Sequence, residues 1–159
     1  IRDRTPDRRV ALKVVRRLPG IETRRFEIEA DIMARLSHPG IAQVFEAGTA
    51  VDAGGELAWF AMELVEDARD LLTFAKEEQL TLAERVALFM QVCRAVEHGH
   101  QRGVLHRDLK PDNVLVDREG RVKVIDFGVA RAISRESQSF VPRVGDLIGT
   151  LPYMSPEQC

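Results

Sequence analysis

The sequence has 159 residues, of which 45% are hydrophobic and 30% charged, as is ordinary for a soluble globular domain. The formal net charge of −2 gives no general attraction for nucleic acid or acidic membranes, so we expect neither as a partner of this segment. No apolar run is long enough to span a bilayer, and two cysteines are too few for a disulfide framework. We therefore expect a cytoplasmic segment. Whether the protein carries a membrane anchor outside this segment is left open.

The first 65 residues alternate between strand-like and helix-like patterns. A short run rich in valine predicts a first strand. Phe26, Ala30 and Met33 then recur at the spacing of one helical face. The elements predicted here are the strand Val10 to Leu18, the helix Thr23 to Leu36, and the strands Ile41 to Phe45 and Leu57 to Val65.

The remaining residues predict helices, a short two-stranded piece and a long loop. Thr81 and Glu84 have the spacing of a capping box, which opens a helix. That helix carries an apolar stripe at helical spacing, made of Leu82, Val86, Phe89, Met90, Cys93 and Val96. The predicted elements are helices from Leu71 to Lys76 and from Leu82 to about Gln101, strands Val114 to Val116 and Val122 to Ile125, and a loop from Val129 to Met154.

This order of elements predicts an α+β chain with two lobes that meet near the connector from Met62 to Asp70. We expect a partial N-terminal lobe over residues 1–65 and a partial C-terminal lobe over residues 66–159. The sequence shows neither an internal repeat nor a low-complexity tract.

The polar run from His106 to Asn113 is the strongest functional signal. Pro111 keeps a helix from continuing, so Asp108, Lys110 and Asn113 sit on a fixed loop. An aspartate can accept the proton of an attacking hydroxyl, a lysine can neutralise a phosphate oxygen, and an asparagine can ligate Mg²⁺. A polar surface turn would account for one Asp-Lys pair but not for this whole set, so the run indicates phosphoryl transfer.

Asp126-Phe127-Gly128 follows a predicted strand, thirteen residues after Asn113. A carboxylate at a strand end, beside a glycine that permits a sharp turn, is suited to hold a hard cation. Alone, such a tripeptide is usually only a turn. At this distance from Asp108 and Asn113 it predicts a metal ligand.

Lys13 lies inside an apolar strand, where it must either face water or find a partner. Strand alternation places it on one face with Ala11 and Val15. Glu29 shares the apolar face of the predicted helix and needs a cation if that face is buried. We expect Lys13 and Glu29 to pair.

Together these residues resemble the protein kinase family. The resemblance is carried, in the family's order and rough spacing, by Val10-Ala11-Leu12-Lys13, Glu29, the run from His106 to Asn113, Asp126-Phe127-Gly128 and Ser155-Pro156-Glu157. Lys110 and the Gly149-Thr150 pair are similar to the serine/threonine-specific branch. The ending from Tyr153 to Gln158 resembles bacterial members of that branch, which implies a role in bacterial signalling.

The resemblance implies a two-lobed fold that uses ATP and Mg²⁺ to phosphorylate serine and threonine hydroxyls of protein substrates. Lys13 would hold the α- and β-phosphates of ATP and pair with Glu29. Asp108 would be the catalytic base, and Lys110 would steady the transferred phosphate. The remaining implied site residues are the metal ligands Asn113 and Asp126.

For the adenine end, the resemblance implies a second group of residues. Ala11 and Leu115 would enclose the adenine ring, and Met62 would be the gatekeeper beside it. Glu63 and Val65 would bound the hinge, whose backbone meets the adenine edge. A stacked apolar column linking the lobes would consist of Met33, Val44, His106 and Phe127.

The family's glycine-rich loop upstream of Lys13, and its helical region after Ser155-Pro156-Glu157, have no counterpart in these 159 residues. Because the sequence starts at Ile1 and stops at Cys159, we expect a catalytic domain truncated at both ends. The chain by itself should then be poorly stable and nearly inactive.

Three other readings compete with an active kinase. A pseudokinase, a nucleotide-binding scaffold without catalysis, would usually lack one of the residues implied for ATP, the base or the metal, and all are present here. A metal site could draw on Cys93, His98, His100 and His106, but their spacing is not that of structural zinc sites. A P-loop hydrolase would need a glycine-rich Gly-Lys-Ser/Thr segment, which the sequence lacks.

Overall fold

The computed structural model describes residues 8–16, 23–127 and 151–154, and within these the side chains of residues 16, 23–25, 29 and 151 are not described. The described residues form two three-stranded antiparallel sheets and three α-helices. In chain order the elements are β1 (Val10–Arg16), α1 (Thr23–Ala34), β2 (Val44–Asp52), β3 (Gly55–Glu63), β4 (Arg69–Asp70), α2 (Leu71–Glu77), α3 (Leu82–Gln101), β5 (Val114–Val116) and β6 (Val122–Val124).

The first sheet has the strand order β1-β3-β2, and α1 packs against it. β1 alternates as predicted, because Leu12 and Val14 are exposed while Lys13 is partly buried. The helical face predicted for α1 is confirmed, since Phe26 is buried and its ring lies 5.3 Å from that of Phe60 in β3. Burying two large rings in contact is among the stronger apolar contributions to a small sheet-and-helix layer.

The second sheet has the order β4-β5-β6, and α2 and α3 pack around it. The side chain of Asp70 accepts hydrogen bonds from the backbone N–H groups of Leu72 and Thr73, which caps α2. The predicted capping box at α3 is confirmed, because Thr81 and Glu84 satisfy each other's backbone N–H groups. The end of α3 at Gln101 also agrees with the prediction.

The strand predicted over Ile41 to Phe45 was wrong in its bounds, because β2 begins only at Val44 and continues to Asp52. Much of β2 is exposed, and a strand that buries neither face has no need of alternating apolar residues. The sequence therefore shows no strand pattern over most of β2. Ile41 instead forms an isolated bridge to Val124 of β6. Ala42 donates to the Val124 carbonyl at 2.9 Å, so the connector before β2 is tied to the second sheet.

The apolar stripe predicted along α3 is not the side of the helix that is buried among the described residues. Most of its members are exposed, and Leu82 and Phe89 keep 79% and 60% of their surface. The buried side is made instead of Leu88, Val92, Ala95 and Gly99. The small residues Ala95 and Gly99 leave room for neighbouring groups to approach this side closely, as the Phe127 ring does at Gly99.

Smaller differences concern short elements and bounds. The two-residue strand β4 and the 3₁₀ turn Pro111–Asn113 carry no sequence periodicity and were not predicted. Residues 17 and 18 of the predicted first strand, and most of the predicted loop from Val129 to Met154, lie outside the described residues. So do Gly128, Gly149, Thr150 and the Ser155-Pro156-Glu157 segment. No helix among the described residues is both long and apolar enough to cross a membrane.

Candidate active site

The predicted polar run lies in the loop between α3 and β5, next to the residues that follow β6. Two residues of the run join it to the backbone of Ile125, directly before Asp126, one through its side chain and the other through its backbone carbonyl. These are His106 and Asn113, the buried polar residues that the structure shows among its described parts. Their hydrogen bonds decide how the two loops sit relative to each other.

His106 bridges the two loops through both of its ring nitrogens. Nε2 lies 2.9 Å from the carbonyl oxygen of Ile125, to which it donates, and Nδ1 accepts from the backbone N–H of Asp108 at 3.3 Å. This pattern requires the neutral ring. Burial lowers the pKa of His106, although the Ile125 carbonyl and the charges of Asp108 and Asp126 act to raise it. The ring is therefore neutral at pH 7, as its hydrogen bonds demand.

Asn113 makes the second bridge. Its backbone carbonyl accepts from the N–H of Ile125 at 3.0 Å. Its side-chain Nδ2 donates to the backbone carbonyl of Asp108 at 2.8 Å and to the Asp108 carboxylate at 3.2 Å. The amide nitrogen of Asn113 is turned toward Asp108. The side-chain oxygen of Asn113 is therefore the atom that could bind a cation.

Asp108 and Lys110 lie on the same short loop as predicted. The ammonium of Lys110 is 3.6 Å from Oδ2 of Asp108, the oxygen that also accepts from Asn113. Both side chains are partly exposed, so a substrate hydroxyl and a phosphate could reach them. The sequence prediction that these three residues lie together is confirmed.

Lys13 reaches this cluster from the first sheet. Its Nζ lies 2.6 Å from Oδ2 of Asp126. Asp126 has a φ of 60°, a left-handed backbone that turns its carboxylate out of the β6 direction and that aspartate tolerates better than most residues. The expected pair of Lys13 with Glu29 falls on a side chain outside the described residues, so it stays a prediction. The sequence did not reveal that Lys13 would contact Asp126.

The residues available for a divalent cation are those predicted, Asn113 and Asp126. An amide oxygen and a carboxylate are hard oxygen ligands that suit Mg²⁺, which usually takes one or two protein oxygens and completes its shell with water and substrate phosphates. The described part of the chain holds no group of three or more His, Cys, Asp or Glu side chains able to bind a metal. An amide oxygen and a carboxylate are thus a donor set that fits a magnesium ion shared with a phosphate ligand.

The residues predicted for the adenine end lie on both sheets. Ala11 pairs with Met62 across β1 and β3, and Met62 is buried. Leu115 is the middle residue of β5 in the second sheet. Glu63 ends β3, and Val65 follows it on the connector to β4. The structure therefore places Ala11 on the first sheet and Leu115 on the second.

The four residues of the predicted apolar column also come together. The rings of His106 and Phe127 meet edge-on with centroids 5.1 Å apart. Met33 from α1, Val44 from β2 and Phe127 line one small cavity, together with the Met62 side chain. The column prediction is consistent with these contacts.

Gly99 of α3 is a site residue that sequence reasoning missed. A Cβ at this position would overlap the ring of Phe127 and lie 3.2 Å from the Val104 carbonyl oxygen. Phe127 is 4% exposed, so its ring is buried where it meets the glycine. A glycine in the last turns of the predicted helix is the only signal in the sequence, and it does not show which side chain packs against it.

Replacing Gly99 with alanine should move Phe127 and, with it, the neighbouring Asp126. Overpacking of this kind costs about 1–3 kcal/mol of folding free energy, which thermal unfolding of the complete protein would measure. A Phe127→Leu change in the same protein should recover part of the loss, because it removes the overlapping ring edge. Unchanged stability in the single variant would show that the ring has free space elsewhere.

The alternative metal site is not supported. Cys93 is an exposed free thiol, His98 stacks on His38 with ring centroids 4.7 Å apart, and His106 is committed to Ile125. Among the residues that the structure describes, these side chains do not form a group of three or more able to hold a metal ion.

Comparisons with known proteins agree with this geometry. The protein kinase domain family matches residues 1–159. The serine/threonine-protein kinase PknB of Mycobacterium tuberculosis is 38% identical over 163 residues, which cover 99% of this chain and 25% of that protein. The probable serine/threonine-protein kinase CE0033 of Corynebacterium efficiens is 38% identical over 135 residues, covering 84% and 20%. The chain thus spans about a quarter of the length of these relatives.

Proposed function

The chain belongs to the protein kinase family, and we propose that the complete protein carrying it transfers the γ-phosphate of ATP to serine and threonine hydroxyls of protein substrates. The observation that carries the proposal is the joining of two loops by His106 and Asn113. That joining puts a carboxylate able to take a proton beside a second carboxylate able to hold a cation. Membership of the family implies the use of ATP and a divalent metal in general terms.

Asp108 acts as the base that accepts the proton of the attacking hydroxyl. Its backbone N–H is held by His106 and its carboxylate receives the Asn113 amide, so both its position and its orientation are fixed before substrate arrives. Positioning of this kind supplies much of the rate enhancement in phosphoryl transfer, because the protein has little covalent chemistry to do.

Lys110 lies beside the Asp108 carboxylate and stabilises negative charge on the phosphate in flight. Lys13 binds the α- and β-phosphates, and Glu29 holds it there. The contact between Lys13 and Asp126 is replaced in part when a nucleotide binds, because the phosphates compete for the ammonium and the cation competes for the carboxylate.

Asn113 and Asp126 are the residues that would hold Mg²⁺, which when bound neutralises charge on the phosphate oxygens. Ala11 and Leu115 enclose the adenine, Met62 limits the depth of that space, and the backbone from Glu63 to Val65 meets the adenine edge. The proposed fold has an N-terminal lobe of residues 1–65 and a C-terminal lobe of residues 66–159, and the presence of one sheet within each range supports this division.

Serine and threonine specificity, a role in bacterial signalling and a cytoplasmic site of action are parts of the same proposal. The relatives' names support the first, since both are named serine/threonine-protein kinases. Lys110 also supports serine and threonine specificity, because a lysine two residues after the proposed base resembles the serine/threonine-specific branch of the family. Cytoplasmic action follows from the need for ATP.

The test is phosphoamino-acid analysis after incubation of the complete protein with Mg²⁺, γ-labelled ATP and a general protein substrate. We expect label on phosphoserine and phosphothreonine, and none when the label is in the α-phosphate. Label on phosphotyrosine would contradict the specificity. ATP binding without any labelled product would favour the pseudokinase instead.

A further inference from the structure

A polar cluster that the proposed mechanism leaves unused joins Gln43, Glu63 and Lys123. The ammonium of Lys123, in the middle of β6, lies 2.7 Å from Oε1 and 2.8 Å from Oε2 of Glu63. The backbone N–H of Gln43 donates to the same Oε2 at 3.2 Å. The Glu63 carboxylate is therefore held from two separate parts of the chain.

Gln43 extends this cluster to α1. Its carbonyl accepts from the N–H of Glu63 at 2.8 Å, so the two residues are bonded in both directions. Its side-chain Nε2 donates to the carbonyl of Ala34, the last residue of α1, at 2.6 Å. The end of the helix that carries Glu29 is thus fixed to the residue that ends β3.

The cluster also lies where the two sheets meet. Residues 40–42 are bonded to β6, since Val124 donates to the Gly40 carbonyl at 2.8 Å and accepts from Ala42. The side chains of Lys123 and Glu63 are only 18% and 31% exposed. An ion pair this sheltered is screened less by salt than a surface pair and restrains its two strands more firmly.

The two charged residues belong to β3 and β6, the strands that pair with those carrying the two proposed adenine walls. Lys123 is the register partner of Leu115 across β5 and β6. Glu63 directly follows Met62, which is the register partner of Ala11 across β1 and β3. The contact between Lys123 and Glu63 therefore joins the strand beside one wall to the strand beside the other.

We propose that Gln43, Glu63 and Lys123 form a hinge clamp that holds the segment from Glu63 to Val65 against β6 and thereby sets the affinity for the adenine of ATP. The proposal rests on the proposed function only for the identity of the nucleotide. Gln43 and Lys123 are positioning residues, because they act on the nucleotide through the place they give to the Glu63 backbone.

The experiment measures equilibrium binding of ATP, adenosine and inorganic tripolyphosphate to the complete protein, with Lys123→Met as the main variant. We expect ATP and adenosine each to bind about 5–10-fold more weakly, as loss of a partly sheltered ion pair would give. Tripolyphosphate should bind as before, because Lys13 and Asp126 are unchanged. A loss of structure alone would weaken all three ligands together and would overturn the proposal.

Further variants keep the proposal testable if Lys123→Met folds poorly. Lys123→Arg should bind ATP within about twofold of the wild type, because it preserves the ion pair. Glu63→Gln should weaken ATP binding, and adding Lys123→Met to it should weaken it little more, since both changes break one contact. Lys76→Met, which removes an exposed lysine of α2, is the matched control and should change nothing.

Unchanged ATP affinity in folded Lys123→Met or Glu63→Gln would overturn the hinge clamp. So would additive effects in the double variant. A protein that binds ATP but transfers no phosphate would defeat the proposed function while leaving these binding ratios as a valid test of the clamp.

Discussion

Asp108→Asn lowers kcat for phosphotransfer by about 10²–10⁴-fold, the range that general-base catalysis contributes. The reason lies in the geometry, because asparagine can keep the contacts of Asp108 with the loop but cannot accept the proton of the attacking hydroxyl. The backbone N–H of residue 108 still donates to His106, and the backbone carbonyl still accepts from Asn113. The loop should therefore keep its shape, and the KM for ATP should change by no more than about threefold.

Steady-state kinetics of the complete protein with varied ATP would measure this split between kcat and KM. The matched control is Asp112→Asn, the same chemical change at an exposed position four residues later. We expect the control to keep the wild-type kcat. A wild-type kcat in the Asp108→Asn protein would show that Asp108 is not the catalytic base.

Asp126→Asn should lower kcat/KM by about 10³-fold, because it takes away a carboxylate proposed to hold the cation and metal ions supply several kcal/mol of charge stabilisation in such reactions. It also removes the negative partner that lies 2.6 Å from the Lys13 ammonium. The variant should need a much higher Mg²⁺ concentration for half-maximal activity. This shift separates loss of a metal ligand from a general loss of activity.

A magnesium titration of phosphotransfer in the complete protein would test this prediction. Asp67→Asn is a suitable control, since Asp67 is an exposed aspartate that also has a positive φ, 50° against 60° for Asp126. Any backbone effect of the substitution should be similar at both positions. An Asp126→Asn protein with the wild-type magnesium dependence would show that Asp126 does not hold the ion.

The parts of the site that are local in sequence could be predicted from it. Asp108, Lys110 and Asn113 share one loop whose course Pro111 constrains, so their proximity follows from their spacing. The capping box at Thr81 is equally local and was predicted correctly. Such features depend on neighbours a few residues away, which the sequence shows directly.

Features that depend on how elements pack could not be predicted in the same way. Apolar residues surround much of α3, and the buried side turned out to be the one with Ala95 and Gly99, where small residues allow close approach. No pattern in the sequence shows that the Phe127 ring would fill the space above Gly99. The same holds for the pair of Lys123 with Glu63, which joins residues 60 positions apart.

The central claim is that the loop bearing Asp108 and the loop bearing Asp126 form one phosphotransfer site. Its most direct test measures binding of Mg²⁺ and ATP, and single-turnover transfer of the γ-phosphate, on the same preparations of the complete wild-type protein and of Asp108→Asn. The account predicts that both proteins bind the nucleotide with similar affinity and that only the wild type transfers phosphate rapidly. The claim would be contradicted if the two proteins bound the nucleotide equally and the wild type transferred phosphate no faster than Asp108→Asn.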